Sequence, residues 1–224
     1  MKQLLVIMFI LLLAGLILAQ WLSSTEQKSN LPWDINTTET GATQVFNLDV
    51  GEINLKTMMH KLHKIAEVNI FEKKGENTVL EAYFSKSKLG IFDAVLIAEL
   101  DIKSAELHTF IQALKRGDRE ATPSGQWKYQ LSESMMQKAN TLRVWRLVYI
   151  PVVKYDDKSL TKQFGEPTEK EVLNEQLSYW YYPNKGLIVL YDKDGSEIFY
   201  YVAKNEFARL KAALPKNKQA IKRK

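Results

Sequence analysis

The stretch Leu4–Leu22, LLVIMFILLLAGLILAQWL, contains no charged residue and follows one lysine, Lys2. A helix over it would rise roughly 28 Å at ~1.5 Å per residue, close to the ~30 Å hydrocarbon core of a bilayer. It therefore predicts an uncleaved membrane-spanning anchor. A cleaved secretory signal is the competing reading. Signal apolar regions run ~7–15 residues and end at a small-x-small site. Here Ile17-Leu18-Ala19 puts isoleucine where a small residue is wanted. Lys2 precedes the run, and Ser23–Lys28 beyond it carries no net positive charge. The positive-inside rule then leaves the amino end in the cytoplasm and the rest outside, in the periplasm if the cell is bacterial. The expectation is a single-pass protein of the bacterial inner membrane, with 1–22 as a transmembrane signal anchor and Trp21 at the outer interface.

The chain has no cysteine, so no disulfide staples the fold and no thioether lipid can be attached. Its 31 basic and 26 acidic residues give a net charge of +5. Five of the cations, Lys216, Lys218, Lys222, Arg223 and Lys224, follow Pro215 with no acid among them. The body is therefore charge-balanced, which argues against a nucleic-acid-binding domain, since such a domain carries its basic face on the fold itself. The same five cations are candidates for contact with an anionic membrane surface. A merely solvated tail is the alternative.

Residues 23–44 read as a linker in which Leu31-Pro32-Trp33 is an apolar knot able to dock on the domain. Val45–Val50 reads as a strand. Asn54 is placed to cap a helix over Leu55–Val68, with Leu55, Met58, Met59, Leu62 and Ile65 on one face. Alternating runs at 69–72, 78–85 and 91–102 predict an antiparallel meander. Ser104 is placed to cap a second helix with a Leu107, Phe110, Ile111 and Leu114 stripe. A boundary falls in Gly117–Gly125, which gives subdomains at 45–121 and 122–214. In the second, Ser132–Ala139 and the residues after Asp157 read as short helices, with a long strand over Leu142–Val153 between them. Gln176–Val202 reads as a three-stranded meander, punctuated by Pro183-Asn184-Lys185-Gly186 and Asp192-Lys193-Asp194-Gly195. The Asp-Gly pair predicts a two-residue hairpin turn. Asn205 is placed to cap a last helix over Phe207, Leu210 and Leu214, and 215–224 is a basic tail. The fold class expected is α+β: a transmembrane helix, then antiparallel sheets with packed helices, with two similar halves as one arrangement.

Little catalytic chemistry is visible. There is no Gly-x-Ser-x-Gly elbow, phosphate loop or dinucleotide fingerprint. His60, His63 and Glu67 have a spacing conceivable for a metal. Lys56, Lys61 and Lys64 interleave with them, however, and a solvated helix face is the simpler reading. Asp192 and Asp194 need no role beyond the turn, because a calcium loop spreads its ligands over ~12 residues. No metal or cofactor is expected. The aromatic set Tyr179, Trp180, Tyr181, Tyr182, Tyr200 and Tyr201 is the candidate partner-binding surface, because strand alternation sends about half of it away from any one core. The alternative is that both sheet faces are covered.

Asp157 to Val202 carries a short helix ending in Phe164-Gly165-Glu166-Pro167, then Trp180-Tyr181 and a hairpin. In these features it resembles the small outer-membrane-assembly lipoproteins of the SmpA/OmlA type and the wider β-lactamase-inhibitor-protein-like fold. This chain lacks their lipobox cysteine and is larger. The resemblance implies an α+β protein-interaction module in the periplasm without catalysis. Together these features predict a membrane-anchored envelope assembly or interaction module with a protein partner. An exported hydrolase with a dispersed site and a secreted binding protein are the alternatives.

Overall fold

The computed structural model describes residues 30–72, 78–89, 92–114, 119–123 and 125–215. Asn30–Ile35 is docked on the fold: Trp33 meets Phe92, Tyr155 and Phe164 edge-on, and the Pro32 carbonyl accepts the Tyr201 hydroxyl at 2.8 Å. β1 (Asn36–Thr37), β2 (Thr43–Val45) and β3 (Leu48–Val50) form a small antiparallel sheet. The single strand expected over Val45–Val50 is thus a hairpin. Its turn is Phe46-Asn47, both at positive φ (54° and 60°), with Phe46 buried between Tyr149 and Tyr201. Burial of that ring holds a bulky residue in a backbone region it rarely adopts.

Asn54 caps α1 (Leu55–Leu62), its Oδ1 accepting the Thr57 N–H at 2.8 Å. The helix stops at His63, which takes the left-handed conformation, well short of Val68. The chain is needed elsewhere, because Ala66, Val68 and Ile70 enter the core on the way into β4 (Glu67–Glu72). Ile65, which the periodicity places on the helix face, is left exposed. There follow β5 (Val79–Leu89), β6 (Phe92–Leu100), α2 (Ser104–Ala113), β7 (Arg119–Ala121), β8 (Trp127–Gln130) and α3 (Glu133–Thr141). The chain then forms β9 (Val144–Pro151), α4 (Asp157–Phe164), β10 (Glu169–Val172), β11 (Leu177–Tyr182), β12 (Leu187–Asp192), β13 (Ile198–Val202) and α5 (Phe207–Ala213). Ser132 caps α3, and Asp156 caps α4 by accepting the Ser159 N–H at 2.7 Å. Neither Ser104 nor Asn205 caps a helix: α2 starts at Ser104 itself, and α5 continues a short 3-10 turn, Lys204–Glu206.

Ten of these strands make one continuous antiparallel sheet in the order β10-β11-β12-β13-β9-β6-β5-β4-β8-β7. The expected α+β arrangement of separate antiparallel sheets in two similar halves is corrected by this order. Strand dominates, the helices are short, and the two subdomains share one sheet. β9 pairs with β13 on one side and β6 on the other, and β8 adds to β4. Apart, each half would present a long row of unpaired N–H and C=O groups. Joined, they satisfy those groups on both sides of β9 from Arg146 to Tyr149.

The membrane expectation is corrected as well. No helix among the described residues is long and apolar enough to cross a membrane. Leu4–Leu22 lies outside the described residues, as does the basic tail 216–224. The structure therefore contains no element that supports a transmembrane signal anchor, an inner-membrane location or a periplasmic domain.

Coverage of the two sheet faces is unequal. One face carries Ile70, Leu80, Phe84, Leu96, Leu147, Tyr149, Val189, Phe199 and Tyr201. It is packed along its length by α1, α2, α3 and α4 through Leu55, Met58, Leu107, Met135, Leu160 and Phe164. The opposite face has a second core, Trp145, Val148, Tyr179, Tyr181, Ile188, Leu190 and Tyr200, under Leu210 and Leu214 of α5 and the residue that follows it. That second core stops at β9 and β6.

The turn between β11 and β12 shows how tightly the layers meet. Gly186 sits at φ +58, and a Cβ there would lie 2.2 Å from the Val202 carbonyl oxygen and 2.5 Å from Thr43 Oγ1. Gly186→Ala is expected to lose about 1–3 kcal/mol of stability, the usual cost of overpacking. Chemical denaturation measures it, and a loss below ~0.5 kcal/mol would show that the turn shifts freely. The other turn departs from the hairpin chemistry expected of Asp-Gly. Gly195 is not at positive φ, and the Asp192 carboxylate closes the turn by accepting the Asp194 N–H at 3.0 Å.

Candidate functional site

All six aromatic residues proposed as a partner surface are buried. Alternation divides them as expected, but both faces are covered where they lie. Trp180, Tyr182 and Tyr201 join the core under α4. Tyr179, Tyr181 and Tyr200 join the core under α5. Their hydroxyls are used internally: Tyr179 donates to the Pro215 carbonyl at 3.0 Å, Tyr182 to the Gly165 carbonyl at 3.2 Å, and Tyr181 to Glu171. Burial pushes the phenols of Tyr179, Tyr181, Tyr182 and Tyr200 up, Tyr200 to about 12. The set is core, and it is not an accessible face in this structure.

His60 and His63 stand 6.1 Å apart, ring centre to ring centre, at the exposed end of α1. No group of three metal-ligating side chains occurs among the described residues. Asp192 and Asp194 serve the turn. Among the described residues the one acid whose carboxyl is raised, Glu197, is wholly enclosed and meets no surface.

What sequence reasoning missed is the uncovered half of the second face. The register runs Glu67↔Tyr83↔Ile97↔Val148, and beside it Val95↔Ile150 and Asn69↔Glu81↔Glu99. These side chains point to the α5 side; Asn69 and Glu99 are buried and Ile97 packs at the margin of the second core, whereas Tyr83 and Val95 lie outside it. Tyr83 is consequently 41% exposed, while Phe71, Val79, Val95 and Ile97 are half-buried. The signal was present in the alternation of Leu80, Ala82 and Phe84 with Glu81 and Tyr83, which assigns Tyr83 to the face away from the main core.

A polar lip borders this apolar strip. Lys128 Nζ meets Glu67 Oε1 at 2.5 Å, and Asn69 donates to the same oxygen at 3.1 Å. Those hydrogen bonds, from Lys128 first and then Asn69, hold the Glu67 carboxyl below its ordinary range. At the other end of β6 stands an ionic cluster. Asp101 binds Arg143 and Arg209, and both arginines bind Glu206. Burial raises the Asp101 carboxyl, but the hydrogen bonds from Arg143 and Arg209 outweigh it and leave it lowered. Arg209 lies 3.9 Å over the Trp145 ring, and Lys211 4.1 Å over Tyr181, so α5 is clamped along both flanks.

The sheet edges make poor docking sites. β10 reads Glu-Lys-Glu-Val and β7 reads Arg-Glu-Ala. Pairing a second β10 antiparallel about Lys170 or Glu171 sets like charges directly opposite, which is unfavourable. The open half-face is therefore the surface best suited to a partner. Compared with known protein families, characterised proteins and solved structures, the chain matches none.

Proposed function

We propose that the protein is a non-catalytic interaction module that binds a protein partner on the open half-face of its large sheet. The observation that carries this reading is the uneven coverage. The same face is sealed by α5 over β11, β12, β13 and β9, and left open over β6, β5, β4 and β8. Tyr83, Val95 and Ile97 supply an apolar centre, and Glu67, Lys128 and Asn69 an ion-paired border. An apolar centre inside a polar rim is the usual anatomy of a protein interface, and tyrosine is among the residues enriched there. The resemblance of Asp157–Val202 to assembly lipoproteins supports the same class of function.

The test is site-specific photo-crosslinking in the native cell. A crosslinking residue at Tyr83 is expected to trap a discrete partner, and the same residue at Val172, exposed on the β10 edge, is not. A Tyr83→Glu change should abolish capture from a second crosslinking position at Val95 while leaving the unfolding free energy within ~0.5 kcal/mol, as expected of a surface substitution. Equal trapping at positions 83 and 172, or none at 83, would reject the docking face.

A further inference from the structure

Val152–Asp156, the strap that joins β9 to α4, lies against the turn between β12 and β13, and one buried side chain ties the two together. Glu197 has no exposed surface. Its Oε2 accepts the Tyr155 backbone N–H at 2.9 Å. Its Oε1 is buried without a hydrogen-bond partner among the described residues, and the buried hydroxyls of Tyr155 and Tyr149 interact with each other. The Tyr155 ring packs on Phe199 at 5.6 Å and on Trp33 at 6.4 Å, so the strap closes over an aromatic cluster. Outside, Lys154 Nζ donates to the Lys193 carbonyl. The titratable and charged groups facing this point are Lys154, Tyr155 and Asp156 of the strap and Asp157 at the start of α4. Tyr149 of β9, Tyr191 and Asp192 at the end of β12, and Lys193 and Asp194 of the turn complete them.

We infer that Glu197 is the bolt of a pH-sensitive latch, which holds the Val152–Asp156 strap closed while its carboxyl is neutral and releases it on ionisation. A neutral carboxyl tolerates this setting with backbone N–H groups alone, whereas a buried carboxylate with no cation bonded to it does so at a cost. Burial raises the Glu197 carboxyl, and the Asp192 charge adds to that. The Tyr155 N–H, the backbone N–H of Glu197 itself and the Lys154 ammonium oppose it without cancelling it. Because the folded value lies above the unfolded one, the closing contribution is complete at acid pH and is lost as pH rises through the raised value. The strap is the part that yields. Val152 and Val153 are each 54% exposed, and Lys154 and Asp156 also face solvent, whereas Tyr149 and Phe199 beneath the strap belong to the core. Lifting the strap admits water to the carboxylate and draws Tyr155 away from Trp33 and Phe199. This inference stands apart from the docking face on β4–β6.

Hydrogen–deuterium exchange of the full chain at about pH 5 and about pH 8 tests it, with rates corrected for the intrinsic pH dependence of exchange. The strap peptide is expected to lose protection several-fold relative to β9 between the two conditions. In Glu197→Gln, which keeps an acceptor for the Tyr155 N–H but cannot ionise, the change should stay within about twofold. A flat wild-type profile, or the same fall in the variant, would overturn the latch. Should the variant not fold, tryptic cleavage after Lys154 in the wild-type chain decides. Normalised to a peptide substrate, the rate must rise with pH over the same interval, and a constant rate rejects the proposal.

Discussion

Arg146→Met is expected to cost about 3–5 kcal/mol, because it strands a buried carboxylate. Arg146 and Glu99 face each other across β9 and β6 and are ion-paired at the margin of the second core, with both side chains almost fully enclosed. The guanidinium also lies 5.1 Å from the Trp145 ring and 5.9 Å from Tyr200, so aromatic faces take the place of water around it. Removing the arginine leaves Glu99 charged, buried and beside Glu81 on the next strand. The double variant Glu99→Leu with Arg146→Met leaves no unpaired charge and should recover most of the loss, as exchange of a buried pair for apolar residues is often neutral or better. Urea denaturation of both variants measures the difference. A single-variant loss below ~1 kcal/mol, or a double variant no better than the single, would show that water reaches the pair.

Leu210→Ala in α5 should cost roughly 2–5 kcal/mol, the range for truncating a fully buried leucine. A seven-residue helix has little stability of its own. It stays on the sheet because Leu210 is wholly buried among Trp145, Tyr179, Tyr181 and Tyr200. At about 2–4 °C per kcal/mol for a chain of this size, the melting midpoint should fall by approximately 5–15 °C. Arg209→Ala is the informative comparison. Its partners Asp101 and Glu206 are partly solvated, so it should lose much less. Equal losses would mean that charge rather than apolar burial seats the helix.

Local chemistry carries much of the architecture. The Leu55, Met58 stripe with Asn54 before it specifies α1, and Leu160, Phe164 and Gly165 specify α4 and its end. The aromatic meander of β11, β12 and β13 follows from period-two alternation. These features depend on neighbours in the chain, so a sequence displays them. Helix lengths were less legible, because α1 ends where β4 must begin pairing with β5 and β8, which arrive later in the chain. The two-half reading failed for a related reason. Nothing local announces that β9 pairs with strands of both halves.

The candidate site divides along the same line. Alternation shows that Tyr179 and Trp180 face opposite ways, and that Tyr83 faces away from Leu80 and Phe84. It does not show which face receives a helix. Tertiary structure decided that α5 lies over Tyr179 and Tyr200 and stops short of Tyr83, which exchanged the buried set for the accessible one. It also set Glu99 against Arg146, Asp101 against Arg143 and Arg209, and Glu197 against the Tyr155 N–H. By itself the sequence determined the Asn54 cap of α1, the strand periods, the charge balance of the body and the absence of disulfides, because each is a property of residues or of their immediate neighbours. Only the tertiary structure decided sheet order, which aromatic rings are buried and which charges are paired, because these depend on which distant segments come to lie against one another.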